Sequence, residues 1–142
     1  MLTDAIDDAA DIDGETLLAR YRERLWTIVD QEGVDEVAAE TGIDRARLRG
    51  LSDTDPSLTV TEAASILALV DETRDAETIR LEARDHLLLG MSSAVVDVDA
   101  LASHLPGDYG PRDYQQMIEG GMSMPLGTYA QVYRYVESES PY

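Results

Sequence analysis

The sequence contains no cysteine, no phenylalanine and no lysine, and it has only one tryptophan and two histidines. Without cysteine the chain cannot form a disulfide framework, a thiolate metal site or a cysteine nucleophile. Two isolated histidines do not supply the ligand cluster of a zinc site. Glycine-rich phosphate loops and nucleophile elbows are also absent from the sequence. We therefore expect a non-enzymatic protein with no metal and no cofactor.

Long apolar runs are missing as well. The longest one, residues 87–96, is shorter than the roughly 20 residues that a helix needs to cross a bilayer. The first residues are acidic and lack the basic and apolar regions of a signal peptide. These features predict a soluble, cytoplasmic protein that does not enter a membrane.

The sequence is rich in acidic residues along its whole length. It has 29 Asp and Glu against 11 basic residues, all of them Arg, and a formal net charge of -18. One interpretation is a surface that binds a partner or mimics DNA. We favour adaptation to a cytoplasm of molar salt, as in halophilic archaea, because at 1 M salt the Debye length is only about 3 Å and the carboxylates no longer repel one another strongly.

The apolar residues follow helical spacing, which predicts an all-α fold. The stripe of the first helix ends before Gly33, a short second helix ends before Gly42, and a third begins near Arg45. Thr59 and Glu62 have the spacing of a capping box at the start of a fourth helix. The apolar stripe of the first helix consists of Leu17, Leu18, Tyr21, Leu25, Ile28 and Val29.

The last third of the chain repeats this plan. Residues 98–102 match residues 34–38 at an offset of 64, and after two extra residues the offset becomes 66. The matched apolar pairs are Leu48 and Tyr114, Leu51 and Met117, Leu58 and Met124, Ala64 and Ala130, Ile66 and Val132, and Val70 and Val136. We interpret this as an internal duplication. Chance similarity between two helical hairpins is the alternative.

The stretch 34–51, VDEVAAETGIDRARLRGL, is similar to the helix-turn-helix of Cro/repressor-like DNA-binding domains. The residues that carry the resemblance are Val37, Ala38, Gly42, Ile43, Leu48 and Leu51. It implies two tandem helix-turn-helix-like bundles that share a long central helix at 75–94. The predicted organisation is an acidic disordered leader (1–13), a first bundle (14–74) and a degenerate second bundle (75–142). As a whole the chain resembles uncharacterised haloarchaeal proteins.

In that family the second helix of the motif enters the major groove, which here implies contact by the helix at 44–51. The implied DNA-binding residues are Asp44, Arg45, Ala46, Arg47 and Arg49. Arginine suits this role because it binds guanine or phosphate. Residues 34–70 nevertheless carry seven acids against three arginines, and Glu40, Asp53 and Asp55 lie close by.

Two functions follow from these residues. The first is a DNA-binding transcriptional regulator, a homodimer or a partner of another protein, that binds double-stranded DNA. The second is a non-enzymatic adaptor that binds protein, in which the three arginines pair with neighbouring carboxylates beside an exposed apolar patch.

Overall fold

The computed structural model describes residues 14–52 and 58–139 of the chain. The predicted leader at 1–13, and Asp53 and Asp55 beside the motif, lie outside the described residues. Eight α-helices are present in the described part, and a 3₁₀ turn, Gly50–Ser52, follows the third of them. The all-α prediction is confirmed. The helices are α1 (Gly14–Glu32), α2 (Val34–Thr41), α3 (Arg45–Arg49), α4 (Val60–Ala68), α5 (Ala76–Ala94), α6 (Val98–His104), α7 (Pro111–Glu119) and α8 (Leu126–Glu139).

The helix boundaries follow from local sequence signals. Asp75 and Asp97 cap α5 and α6 by accepting backbone N–H groups of Thr78 and Ala100. Thr59 and Glu62 form the predicted capping box of α4, in which each side chain accepts from the backbone of the other. These caps satisfy N–H groups that a helix terminus otherwise leaves without partners.

Four helices make the centre of the molecule. α1 packs against α8 and α4, and α5 packs against the same two helices. α2 and α3 lie against each other on one flank, and α6 and α7 do so on the other. The buried apolar side chains of both halves form one continuous cluster. The division into two bundles stays a prediction, and the structure shows that the halves share their core.

The buried positions of α1 recur in α5, a correspondence that the sequence comparison did not include. Both helices have 19 residues. Burial of apolar surface drives their packing, and four of the five buried residues of α1 match buried residues of α5 at a constant offset of 62. The fifth, Ile28, corresponds to Gly90. The matched pairs are Leu17 and Ile79, Tyr21 and Ala83, Leu25 and Leu87, and Val29 and Met91. An internal duplication would produce this correspondence, and the duplication stays a prediction.

A short antiparallel bridge joins the two halves at Thr59 and Pro125. The N–H of Val60 donates to the carbonyl of Met124 at 2.9 Å, and the N–H of Leu126 donates to the carbonyl of Leu58 at the same distance. Each bonded residue has its equivalent 66 positions away on the other strand of the bridge. The halves therefore meet through equivalent residues, as they would around a local two-fold axis.

Two further observations concern single residues. The matched residues Val70 and Val136 differ in burial, since Val70 is 44% exposed and Val136 is buried. Val70 follows the end of α4, whereas α8 continues for another turn past the equivalent position. Gly90 lies inside α5 and faces Val136 of α8.

Candidate functional site

The corner between α2 and α3 is held by local hydrogen bonds. Gly42 adopts a left-handed conformation with φ 75°, and its N–H donates to the carbonyl of Ala38. Glycine accepts this conformation without the steric cost that a Cβ atom causes. The hydroxyl of Thr41 donates to the carbonyl of Val37 at 2.7 Å and accepts from the N–H of Ile43 at 3.2 Å. This arrangement fixes the angle at which the chain enters α3.

α3 is short and is anchored by two buried leucines. Leu48 is fully buried, and Leu51 in the following 3₁₀ turn is 1% exposed. Asp44 caps the helix, since its carboxylate accepts from the N–H of Ala46 at 2.9 Å. The sequence placed Asp44 among the DNA contacts; the structure shows that its side chain already serves the helix terminus.

The three arginines of α3 do not lie on one face of the helix: Arg45 and Arg49 are exposed, and Arg47 is half-buried. Arg45 and Arg49, one helical turn apart, are exposed and border a shallow cleft with Ala46. Arg45 forms an ion pair with Asp35 of α2, with Nε 2.7 Å from Oδ1. Arg49 has no ion-pair partner among the described residues. The accessible part of the predicted DNA-binding site therefore consists of Arg45, Ala46 and Arg49.

Arg47 lies on another side of α3 and reaches Glu62 of α4. Both of its terminal nitrogens lie 2.5 Å from carboxylate oxygens of Glu62. The hydrogen bond with Glu62 raises the pKa of Arg47 above its ordinary value. Burial pushes the pKa of Glu62 upward, but hydrogen bonds from Arg47 and Thr59 outweigh it and hold the pKa below its ordinary value. Arg47 thus holds α3 against α4.

Sequence reasoning identified Glu62 as a capping residue but missed its second role. The partner residues are 15 positions apart, so no helical spacing connects them. Glu36 and Glu40 of α2 are also exposed and have no ion-pair partner among the described residues.

The equivalent surface of the second half is different. Arg112, Gln115 and Gln116 of α7 are exposed. The amide of Gln115 donates to Glu119 at 3.2 Å, an ordinary surface contact. Tyr114, Tyr129 and Tyr133 are buried, with at most 6% exposure. These tyrosines pack in the core, so they do not offer an exposed stacking platform to nucleic acid.

Other kinds of site receive little support from the described residues. No group of three His, Asp or Glu side chains in residues 14–52 and 58–139 is placed to hold a metal ion. Within the same residues, no single helix is long and apolar enough to cross a membrane. α5 and α6 pass that test only together, with an 89° bend between them.

The chain belongs to a protein family of unknown function, DUF5791, whose family model matches residues 17–139. That match includes every described helix except the first residues of α1 and thus both halves of the repeat. No curated protein and no solved structure is significantly similar to the chain.

Proposed function

We propose that this protein is a non-enzymatic DNA-binding regulator that inserts the exposed edge of α3 into the major groove. The observation that carries the proposal is the pair of exposed arginines, Arg45 and Arg49, on either side of Ala46. In a helix-turn-helix, residues at the start of the second helix contact base edges. In this proposal Asp44 caps α3, and Arg47 holds α3 in place through its ion pair with Glu62 of α4.

The ion pair between Arg45 and Asp35 does not prevent this role. The two side chains are 59% and 80% exposed, and exposed ion pairs contribute only about 0–1 kcal/mol. A phosphate or a guanine can therefore replace Asp35 at low cost. Arg49 is available for such a contact without giving up a partner among the described residues.

The acidity of the chain fits the proposal if the protein works at molar salt. Counterion release then contributes little to DNA affinity. Base contacts, apolar contacts and shape must supply the affinity instead. A module with a net negative charge is less unfavourable under those conditions, because the charges are screened within about 3 Å.

The test is DNA binding in high salt. Genomic DNA fragments are selected on the immobilised protein at 2 M KCl, and the enriched fragments are tested by fluorescence anisotropy. We expect R45A/R49A to weaken binding at least tenfold, because two side chains at about 1–3 kcal/mol each are lost. R112A, which removes an exposed arginine from α7, should bind as the wild type does. Absence of enriched fragments at every salt concentration overturns the proposal.

A second candidate, a protein-interaction adaptor, is favoured by the outer face of α5. Leu81, Leu88 and Leu89 on this face are 37%, 40% and 69% exposed, and Val95 just after the helix is 91% exposed. Val95 also has a positive φ of 55°, which is costly for a β-branched residue. Exposed apolar patches of this kind commonly mark contact surfaces.

Sedimentation velocity tests whether this face mediates self-association. If it does, the wild type is a dimer at micromolar concentration and L88R/L89R is a monomer with an unchanged circular dichroism spectrum. A wild type that stays monomeric, or a double variant that still forms the dimer, excludes this face as a homodimer interface.

A further inference from the structure

A small cleft lies among α4, α5, α7 and α8. One wall is α5, the other is the end of α7 with the segment leading to α8, and the start of α4 closes it. Its volume is about 110 Å³. The side chains that matter most are Arg80, Arg84, Met117, Met122, Met124 and Tyr129.

Arg84 has no partner for its charge among residues 14–52 and 58–139. No hydrogen bond or ion pair joins its guanidinium to any described residue. Its Nε is completely shielded from solvent and has no hydrogen-bond acceptor. A shielded donor normally has an acceptor, since removing it from water without one is costly. The side chain of Arg84 as a whole is half-buried.

The neighbouring Arg80 leaves room for a ligand. It binds Glu77 on the outer side of α5, with Nη2 2.6 Å from Oε1. Its other terminal nitrogen lies near Gly120 at the end of α7. None of the described residues that line the cleft is acidic. Because Glu77 pairs with Arg80, the unpaired positive charge in the lining of the cleft is that of Arg84.

The remainder of the lining is mixed, with Thr61, Ser123 and Tyr129 as its polar residues. Its apolar side chains include three methionines, Met117, Met122 and Met124. Methionine side chains are flexible and polarizable, so they adapt to ligands of different shape. Drug-sized ligands occupy pockets of about 300–1,000 Å³, and this cleft is smaller. It therefore suits a ligand with a single charged group and a few carbon atoms.

We propose that the cleft binds a short-chain carboxylate. Its carboxylate accepts hydrogen bonds from Arg84, a geometry that the guanidinium matches with two parallel bonds, and its alkyl chain lies against the methionines. Neither the site nor its ligand depends on DNA binding, because no residue of the cleft belongs to α2 or α3.

The experiment uses the whole protein with ¹³C-labelled methionine methyl groups, at the lowest KCl concentration at which it remains folded. Hexanoate, 1-hexanol, acetate and inorganic phosphate are titrated separately. We expect hexanoate to shift the signals of Met117, Met122 and Met124 in a saturable way. Met91, which is buried in α5 outside the cleft, should not shift. Hexanol and acetate should bind at least tenfold more weakly.

Three variants separate the role of Arg84 from its contribution to folding. R84Q should weaken hexanoate binding at least tenfold, R84K should retain part of it, and R112Q should not change it. The absence of a saturable shift in the wild type overturns the proposal. So does unchanged binding by R84Q. Phosphate that binds as tightly as hexanoate also overturns it, because the site would then recognise an inorganic anion.

Discussion

Arg47 of α3 and Glu62 of α4 form an ion pair through two hydrogen bonds, with both nitrogen–oxygen distances at 2.5 Å. The same carboxylate accepts the backbone N–H of Thr59 at 3.0 Å. One side chain thus closes the capping box of α4 and holds α3 in place. The position of the proposed DNA-contacting helix depends on this residue.

Replacing Arg47 should destabilise the fold. In R47M the apolar stem is kept and Glu62 loses its charged partner. Hydrogen bonds to charged groups contribute about 1.5–3 kcal/mol, and the 38% exposure of Arg47 reduces this to about 1 kcal/mol through solvent screening. Urea unfolding at constant KCl measures the change.

R45M is the matched control for that experiment. It removes the fully solvated ion pair to Asp35 and should change the free energy of unfolding by less than about 0.5 kcal/mol. An equal loss of unfolding free energy in R45M and R47M would show that the Arg47–Glu62 ion pair contributes nothing beyond an ordinary surface ion pair.

The pH dependence of stability should reveal Glu62. Its pKa is lowered in the folded protein. Its contribution is therefore complete above the unfolded value of about 4.3 and is lost as the pH falls through the folded pKa. The free-energy difference between wild type and E62Q should be constant near pH 7 and shrink below about pH 4.3. Urea unfolding from pH 7 to pH 3 measures it.

Asp71 and Asp75 also have lowered pKa values, because backbone N–H groups of Thr73 and Thr78 donate to them. Wild type and E62Q both contain Asp71 and Asp75, so the contribution of these two residues cancels from the free-energy difference between the proteins. A difference that stays constant down to pH 3 would contradict the role assigned to Glu62.

Local signals predicted the helices well, and contacts between distant residues could not be predicted. Gly42 and the Thr59–Glu62 capping box were recognised because their spacing is fixed by helix geometry. The partner of Arg47 was missed, since acidic residues are so frequent in the chain that none stood out. The cleft around Arg84 combines residues from α4, α5, α7 and α8, and only tertiary packing brings them together.

The contact between α5 and α8 at Gly90 gives a third prediction. A Cβ atom on Gly90 would lie 2.7 Å from Cγ1 of Val136, and the branched valine has few rotamers with which to avoid it. G90A should therefore destabilise the protein by about 1–3 kcal/mol, although alanine favours helix. Thermal unfolding of G90A, V136A and G90A/V136A measures the coupling between the two sites.

Gly127 provides the control for this substitution. It lies inside α8, and a Cβ atom there would meet Leu18 at 3.5 Å, an ordinary contact. G127A should be neutral or stabilising by up to about 1 kcal/mol. If G90A behaves in the same way, or if V136A fails to relieve it, the two helices are not in the close contact that the structure shows.

The excess of negative charge predicts that the protein is more stable in molar salt than in dilute buffer. With a net charge of -18, repulsion acts over about 10 Å at 0.1 M salt and over about 3 Å at 1 M. Asp30, Glu40 and Asp85 are exposed and have no ion-pair partner among the described residues. The triple variant D30N/E40Q/D85N should raise the melting temperature at 0.1 M KCl by about 3–5 °C, as expected for roughly 1 kcal/mol. It should have little effect at 2 M KCl, where the charges are already screened.

R112Q is the control of opposite sign. It removes a positive charge and should lower the melting temperature at 0.1 M KCl. Sucrose, which strengthens apolar burial without screening charge, separates the two effects of salt. A wild type equally stable at both salt concentrations would refute the salt-adaptation hypothesis.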